Sequence, residues 1–415
     1  MHRGQRLTLT IERPAAGGRM IARHDGAIVF VAGAIPGEVV DAEVEKIQRG
    51  TGWAVTREVL QASPDRLEAA ADLTCGGSVL AHIRYERQLA LKAEIIVDAF
   101  RRVGRITLDA PPDVAGSPVD GYRMRSRLHV REGRIGFFRE GTHVLCDAAS
   151  TRQLTSGAVE TVRALERALS SLPPESVADV TVAENVDASE RALHVDLLQD
   201  VDLAQLAGVT QVAGVTGVSC ARLDGKRTQD LWGVSVVTDT LHGVTLGRHA
   251  RSFFQGNRFL LSPLVDHVLA QIDAGPVLDL YAGAGLFSLT ASAAGHGPVT
   301  AVEGDPIGGA DLRRNAALRT DVTVRLEAVE DYLSRGPEPA HTVVVDPPRT
   351  GLSKVALAGV IALRARRLVY VSCDVATLAR DARMLLDAGY RLAHVRAFDL
   401  FPNTAHVETV IVCSR

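Results

Sequence analysis

Cysteine is scarce in this chain, with five residues in 415, an odd number at irregular spacing. That pattern argues against a disulfide framework and for a reducing, cytoplasmic environment. Long apolar runs are missing as well. The start, MHRGQRLTLT, has no apolar core of a secretion signal, and GAIVFVAGAIPG is too short and too interrupted by Gly and Pro to cross a bilayer, so no membrane association is expected. There is no block of single-sign charge, no internal repeat and no low-complexity tract, and the formal net charge is −3. Charge as a whole gives no pull towards nucleic acid, so any such site must be a local patch. The positive charge is nearly all arginine, which suits phosphate forks and base stacking but also follows from genome-wide compositional bias.

What is present is enough chain for two or three domains. Residues 1–66 read as five short strands, LTLTIERP, GRMIARHDG, AIVFVAGAIPGE, VVDAEVEKIQ and GWAVTREVLQ, punctuated at Asp25-Gly26 and Pro36-Gly37. They fit a small β-barrel of the oligonucleotide-binding type, or equally a β module without a ligand. SPDR, residues 63–66, reads as a linker. Residues 67–250 are mixed α+β: YERQLALKAEIIVDAFRRVG has helical spacing, whereas GYRMRSRLHVREGRIGFFRE alternates. Arg123, Arg125 and Arg127 fall on one face of that strand, either as a solvated row or as a phosphate track. Within residues 251–415, apolar β-branched runs (GPVLDLY, PVTAVEGD, VTVRLEA, HTVVVDPP, RRLVYVSC) alternate with helical segments. That order predicts an α/β domain with a doubly wound, Rossmann-like parallel sheet.

Candidate chemistry gathers at the carboxyl ends of those runs. In VLDLYAGAGLFSL, Gly283 and Gly285 follow the first strand and open a helix, where backbone can approach a ligand closely. Glu303 in VEGD stands where a ribose-binding acid is expected, although a solvated strand-end carboxylate fits the same position. Ser288 occupies the place of the third glycine of a dinucleotide fold, which favours a mononucleoside ligand such as S-adenosylmethionine over NAD. Asp346 ends the fourth strand in VVVDPPRTGL, as a site residue or as turn chemistry. The fifth strand delivers Cys373 in YVSCDVATLARD to a helix start, where helix amides lower a thiol pKa, and Asp374 is expected to turn aside as N-cap. Glu408, in the apolar run HVETVIVCSR, is expected to be buried, with its pKa raised towards a general-base range.

Together these segments resemble the S-adenosylmethionine-dependent RNA 5-methyluridine methyltransferases with a TRAM domain. The likeness spans nearly the whole chain: a TRAM-like barrel, a central domain, and FFQGN, DLYAGAGLFSL, VEGD, VDPPRTGL, YVSCDVATLARD and FPNTAHVETV in order. The resemblance implies that Gln255, Tyr281, Gly283, Gly285 and Glu303 hold the methyl donor, with Asp346 at the same crevice hydrogen-bonding the target uracil. It implies Cys373 as nucleophile, attacking C6, and Glu408 as the base that takes the C5 proton. RNA, transfer or ribosomal, is the implied partner, and a monomer is the expected state. Many relatives carry four cysteines for an iron–sulfur cluster around a CGGC core. Here LTCGGSVLAH keeps Cys75 but has Ser78, Ala69 stands where an earlier cysteine is expected, and Cys146 is the candidate fourth. Two cysteines fall short of four ligands, so no cluster is expected; Cys220 and Cys413 read as core filler.

Three rival readings make different demands on the residues. An RNA 5-methylcytosine methyltransferase would place cysteine after the proline of the fourth-strand motif, where Arg349 follows Pro348. An amino-group methyltransferase would want an aromatic at 349 and no Cys373. An RNA-binding or folding factor without catalysis would show a decayed Cys373–Glu408 pair, and both residues are intact.

Overall fold

The computed structural model describes residues 1–68, 72–173, 175–201, 214–223 and 228–415. The first five strands, β1 (Arg6–Pro14), β2 (Met20–His24), β3 (Ala27–Ala32), β4 (Val39–Gln48) and β5 (Thr51–Gln61), close into a barrel in the order β1-β2-β3-β5-β4. Alternation makes this barrel. Leu7, Leu9 and Ile11 point inward from β1 and meet Val29, Val31, Val40, Ala42 and Val44. Asp25 and Gly26 both take positive φ, the backbone that a two-residue hairpin turn demands.

Helix α1 (Tyr85–Ala99) and the short strand β6 (Asp113–Ala115) come next. A second sheet then forms from β7 (Arg125–Arg131), β8 (Arg134–Phe138), β9 (Leu145–Asp147), β10 (Val177–Glu184), β11 (Arg191–Leu197), β12 (Val215–Arg222) and β13 (Gln229–Gly233), with α2 (Ser156–Leu169) between β9 and β10. One face of this sheet packs on α2 through Leu128, Val130, Val180, Val182 and Leu193 against Val162 and Leu165. The other face carries polar side chains. The three arginines of the row have acceptors within the protein. Arg125 donates to the carbonyls of Ala250 and Arg251, Arg123 donates to Gln153 Oε1 at 2.6 Å, and Arg127 pairs with Asp179 at 2.6 Å. Arg123 and Arg125 are half-buried and need such acceptors, whereas Arg127 pairs with Asp179 while its side chain stays 52% exposed.

After the hairpin β14 (Val236–Leu241) and β15 (Val244–His249) comes α3 (Leu261–Leu269), then the repeating unit of β16 (Val277–Leu280), α4 (Leu286–Ala293), β17 (Val299–Glu303), α5 (Pro306–Asn315), β18 (Val322–Leu326), α6 (Val329–Ser334), β19 (Thr342–Val345), α7 (Lys354–Leu363), β20 (Arg367–Ser372) and α8 (Val375–Asp387). The chain finishes with β21 (Arg391–Phe398) and β22 (Glu408–Ser414). The sheet order is β18-β17-β16-β19-β20-β22-β21-β6. β16 to β20 run parallel, and their buried runs, such as Val343, Val344 and Val345, have helices on both faces. β22 is antiparallel and lies between β20 and β21. This is the doubly wound parallel sheet that the alternating pattern predicts, and the class I methyltransferase fold that the resemblance implies.

Residues 85–115, read from sequence as part of the central unit, pack elsewhere. β6 pairs with β21, and Ile96, Phe100 and Ile106 join the core beneath α8. Cys75 and Cys146 are joined as a disulfide, against the expectation of reduced cysteines. Cys220 and Cys413 are free and buried in apolar cores. Among the described residues, no helix is long and apolar enough to cross a membrane.

Candidate active site

The crevice lies over the carboxyl ends of β16, β17, β19 and β20, where the strand order reverses beside β16. Tyr281 leaves β16 with φ +63, and Gly283 and Gly285 follow at φ +56 and +97. The two glycines differ in use. A Cβ on Gly285 would strike Leu289 and Leu312 at 2.8 and 2.9 Å, whereas one on Gly283 would meet nothing within 4 Å. Gly285 is therefore a packing glycine and Gly283 borders open space. Glu303, the last residue of β17, braces the turn: Oε2 accepts from Gly283 N at 2.6 Å and Oε1 from Asp305 N at 2.5 Å.

Asp346 follows β19 and accepts from Gln255 Nε2 at 2.9 Å. Burial, reinforced by the charge of Glu303, pushes its pKa up to about 7, and the Gln255 hydrogen bond works against that shift. Cys373 follows β20. The antiparallel register sets Ser372 against Thr409, so one step further puts Cys373 opposite Glu408. Directly opposed residues on neighbouring strands have Cβ atoms about 5 Å apart. Glu408 is buried, and its Oε1 has no hydrogen-bond partner among the described residues. Burial and then the charge of Asp346 hold its pKa well above the usual carboxylate range, opposed by Arg349. Asp374 caps α8, its carboxylate accepting from Thr377 N at 2.8 Å, as sequence reasoning expects.

The thiol itself departs from expectation. Burial, then the charge of Glu408, pushes Cys373 up to about 12, with Asp346 adding to the rise and Arg349 opposing it through charge and a hydrogen bond. The amides of α8 do not overcome desolvation beside two carboxyl groups.

Comparison with known proteins fits this geometry. Residues 2–55 match the TRAM domain, and residues 333–415 match the tRNA (Uracil-5-)-methyltransferase family. A 23S rRNA (uracil(1939)-C(5))-methyltransferase of Methylococcus capsulatus is 32% identical over 450 residues, covering 100% of both chains. The chain belongs to the RNA uracil-C5-methyltransferase family. The corresponding enzyme of Pectobacterium atrosepticum is 32% identical over 439 residues, covering 97% of this chain and 92% of that one. The tRNA (uracil-54, C5)-methyltransferase of Pyrococcus abyssi, solved with S-adenosyl-L-homocysteine, shares the fold at a TM-score of 0.78 and 22% identity, covering 98% and 99% of the two chains.

As a member of this family, the protein is an S-adenosylmethionine-dependent RNA methyltransferase, and the crevice suits the donor. Open space beside Gly283 and a strand-end carboxylate fixed by two backbone amides are the features a nucleoside needs. The iron–sulfur cluster of many relatives is not matched in the same way. The Cys75 sulfur is bonded to Cys146, Ser78 Oγ donates to the carbonyl of Asp72, and Ala69 lies outside the described residues.

The structure brings Cys373, Glu408, Asp346 and Gln255 together, and Tyr281, Gly283, Gly285 and Glu303 form the adjoining turn. Sequence reasoning passed over two residues of the site. Asp279, in mid-β16, accepts from Ser288 N at 2.9 Å and is pushed up to about 7, chiefly by burial. The signal was an acid within an apolar strand just before the glycine turn. Arg349 served only to exclude a rival family, yet its charge acts on both Cys373 and Glu408.

Proposed function

We propose that the protein methylates C5 of one uridine in large-subunit ribosomal RNA, with Cys373 as nucleophile and Glu408 as the base. The placement of Cys373 opposite Glu408, at the mouth of the glycine-turn crevice, carries this reading. The ribosomal substrate rests on the two full-length relatives named for 23S rRNA.

Bound S-adenosylmethionine would supply an electrophilic methyl group to C5 of the ring. Tyr281, Gly283, Gly285 and Glu303 would hold it, with Gln255 and Asp346 on the facing wall. Uracil C5 is too weak a nucleophile to react unaided, so the protein must first load electrons onto it. The Cys373 thiol loses its proton to solvent, a loss that Arg349 favours, and the thiolate Sγ bonds to C6. The C5–C6 π pair then shifts through C5 to the C4 oxygen as an enolate. Asp346 hydrogen-bonds the ring and fixes its register. Once C5 carries the methyl group, ionised Glu408 takes the C5 hydrogen as a proton. The freed electron pair restores the C5–C6 double bond and expels Sγ as thiolate. The base has to leave its stack to reach Cys373, a few kcal/mol that RNA contacts outside the crevice must offset.

Mass-spectrometric mapping of 5-methyluridine in RNA from cells lacking the gene tests this directly. The expected result is loss of a single 23S site, restored by wild type and not by Cys373→Ala. Glu408→Gln should accumulate a covalent protein–RNA adduct that survives denaturing electrophoresis. Normal methylation by Cys373→Ala would refute the nucleophile, and a missing transfer-RNA site instead of a ribosomal one would refute the substrate.

A further inference from the structure

The polar face of the central sheet carries a flat aromatic stack that the chemistry in the crevice does not use. His129 on β7 and Phe138 on β8 stack with ring centroids 3.7 Å apart and planes 7° from parallel. His143 meets the edge of Phe138 at 5.3 Å, and the Arg131 guanidinium lies 5.4 Å from the same ring. His143 and Arg131 are exposed, and the two stacked rings are half-buried. Apolar packing does not explain such a cluster, because the core of this sheet lies on its opposite face.

Charge points to the occupant. Arg127 and His129 already satisfy Asp179. Arg131 donates only to the neighbouring carbonyl of Val130 and has no carboxylate partner among the described residues. A cation without a counter-ion beside a π stack is the combination that takes a phosphate and a base together.

The platform is also held still. β8 pairs Phe138 with Leu145 and Phe137 with Cys146, whose sulfur is bonded to Cys75. Gly76 N donates to the Phe138 carbonyl at 3.3 Å, and Arg19 of the barrel pairs with Glu140 at 3.3 Å. A surface fixed in advance loses little entropy when a ligand settles on it.

We infer that the His129–Phe138 stack, with Arg131 and His143, is a docking platform for an unpaired segment of the substrate RNA. One base extends the stack and its phosphate pairs with Arg131. This rests on the proposed RNA methylation and adds where the RNA is gripped.

The test measures binding of a fluorescently labelled single-stranded ribosomal RNA fragment to the full-length protein, by anisotropy across a salt series. Phe138→Leu keeps an apolar residue but removes the ring and should weaken binding about tenfold, while Phe138→Trp should retain it. Arg131→Gln should lower the slope of log affinity against log salt by about one. Unchanged affinity for S-adenosylmethionine and an unchanged melting temperature show that the variants are folded. Wild-type affinity in Phe138→Leu together with a wild-type salt slope in Arg131→Gln would overturn the platform. If wild type methylates RNA while that happens, only the platform fails. If wild type neither binds nor methylates RNA, the proposed activity fails with it.

Discussion

Replacing Arg349 with glutamine removes the cation that opposes the upward shifts of both Cys373 and Glu408. An opposite charge at close range is worth about 1–3 pK units to a titrating neighbour. Arg349 is solvent-exposed, so screening brings its effect to the low end, about one unit. The sign follows from the thiol, whose pKa is pushed up to about 12 and which is therefore protonated near neutrality. Below that pKa the thiolate fraction rises about tenfold per pH unit, so a further unit of upward shift removes about nine-tenths of the thiolate at any fixed pH. Single-turnover methyl transfer by Arg349→Gln at neutral pH should be about tenfold slower than wild type, and raising the pH by about one unit should recover it. Arg349→Lys, which keeps a cation, should leave the pH profile near that of wild type. A profile that drops by the same factor at every pH in both variants would mean that Arg349 acts on RNA binding or shape, and the electrostatic reasoning would be refuted.

Two other perturbations have magnitudes set by the structure. Lys92 and Asp399 are wholly buried and joined at 2.5 Å, and Lys92 Nζ also donates to the carbonyl of Phe401 at 3.2 Å. Lys92→Met strands a buried carboxylate and should cost about 3–5 kcal/mol in urea unfolding, much of it recovered when Asp399→Leu is added; no recovery in the double variant would mean that the pair is not the source of the loss. At Gly283, φ is +56 and a Cβ would enter the open crevice. Gly283→Ala should cost about 1–2 kcal/mol of stability and weaken S-adenosylmethionine binding in calorimetry, leaving RNA affinity unchanged. Normal donor binding by that variant would place the donor elsewhere.

Period and punctuation made much of the fold legible. Alternation in residues 6–61 fixes the barrel, and buried β-branched runs separated by helices give the parallel sheet. The site was legible for a related reason, since Glu303, Asp346 and Cys373 each end or follow such a run. What could not be read depends on contacts distant in sequence. The arginine row looked available because its acceptors, Asp179 and the carbonyls of Ala250 and Arg251, lie 52, 125 and 126 residues from their donors. The bond between Cys75 and Cys146 spans 71 residues and depends on a hairpin that brings β9 alongside β8. The direction of the Cys373 shift was hidden for the same reason. A helix start is visible in a sequence, whereas Glu408 and Asp346 converge on the sulfur only after β22 inserts beside β20.

The pairing of β6 with β21 has a consequence for how this molecule can be taken apart. A fragment starting at residue 251 would have a raw sheet margin along β21 and a greasy hollow where α1 had rested, both invitations to self-association. The central-sheet polypeptide is thus spliced into the transferase between an outlying ribbon and its main body. Exchanging that module between enzymes would require two cuts, one just after β6 and one ahead of α3, instead of a single swap at an end.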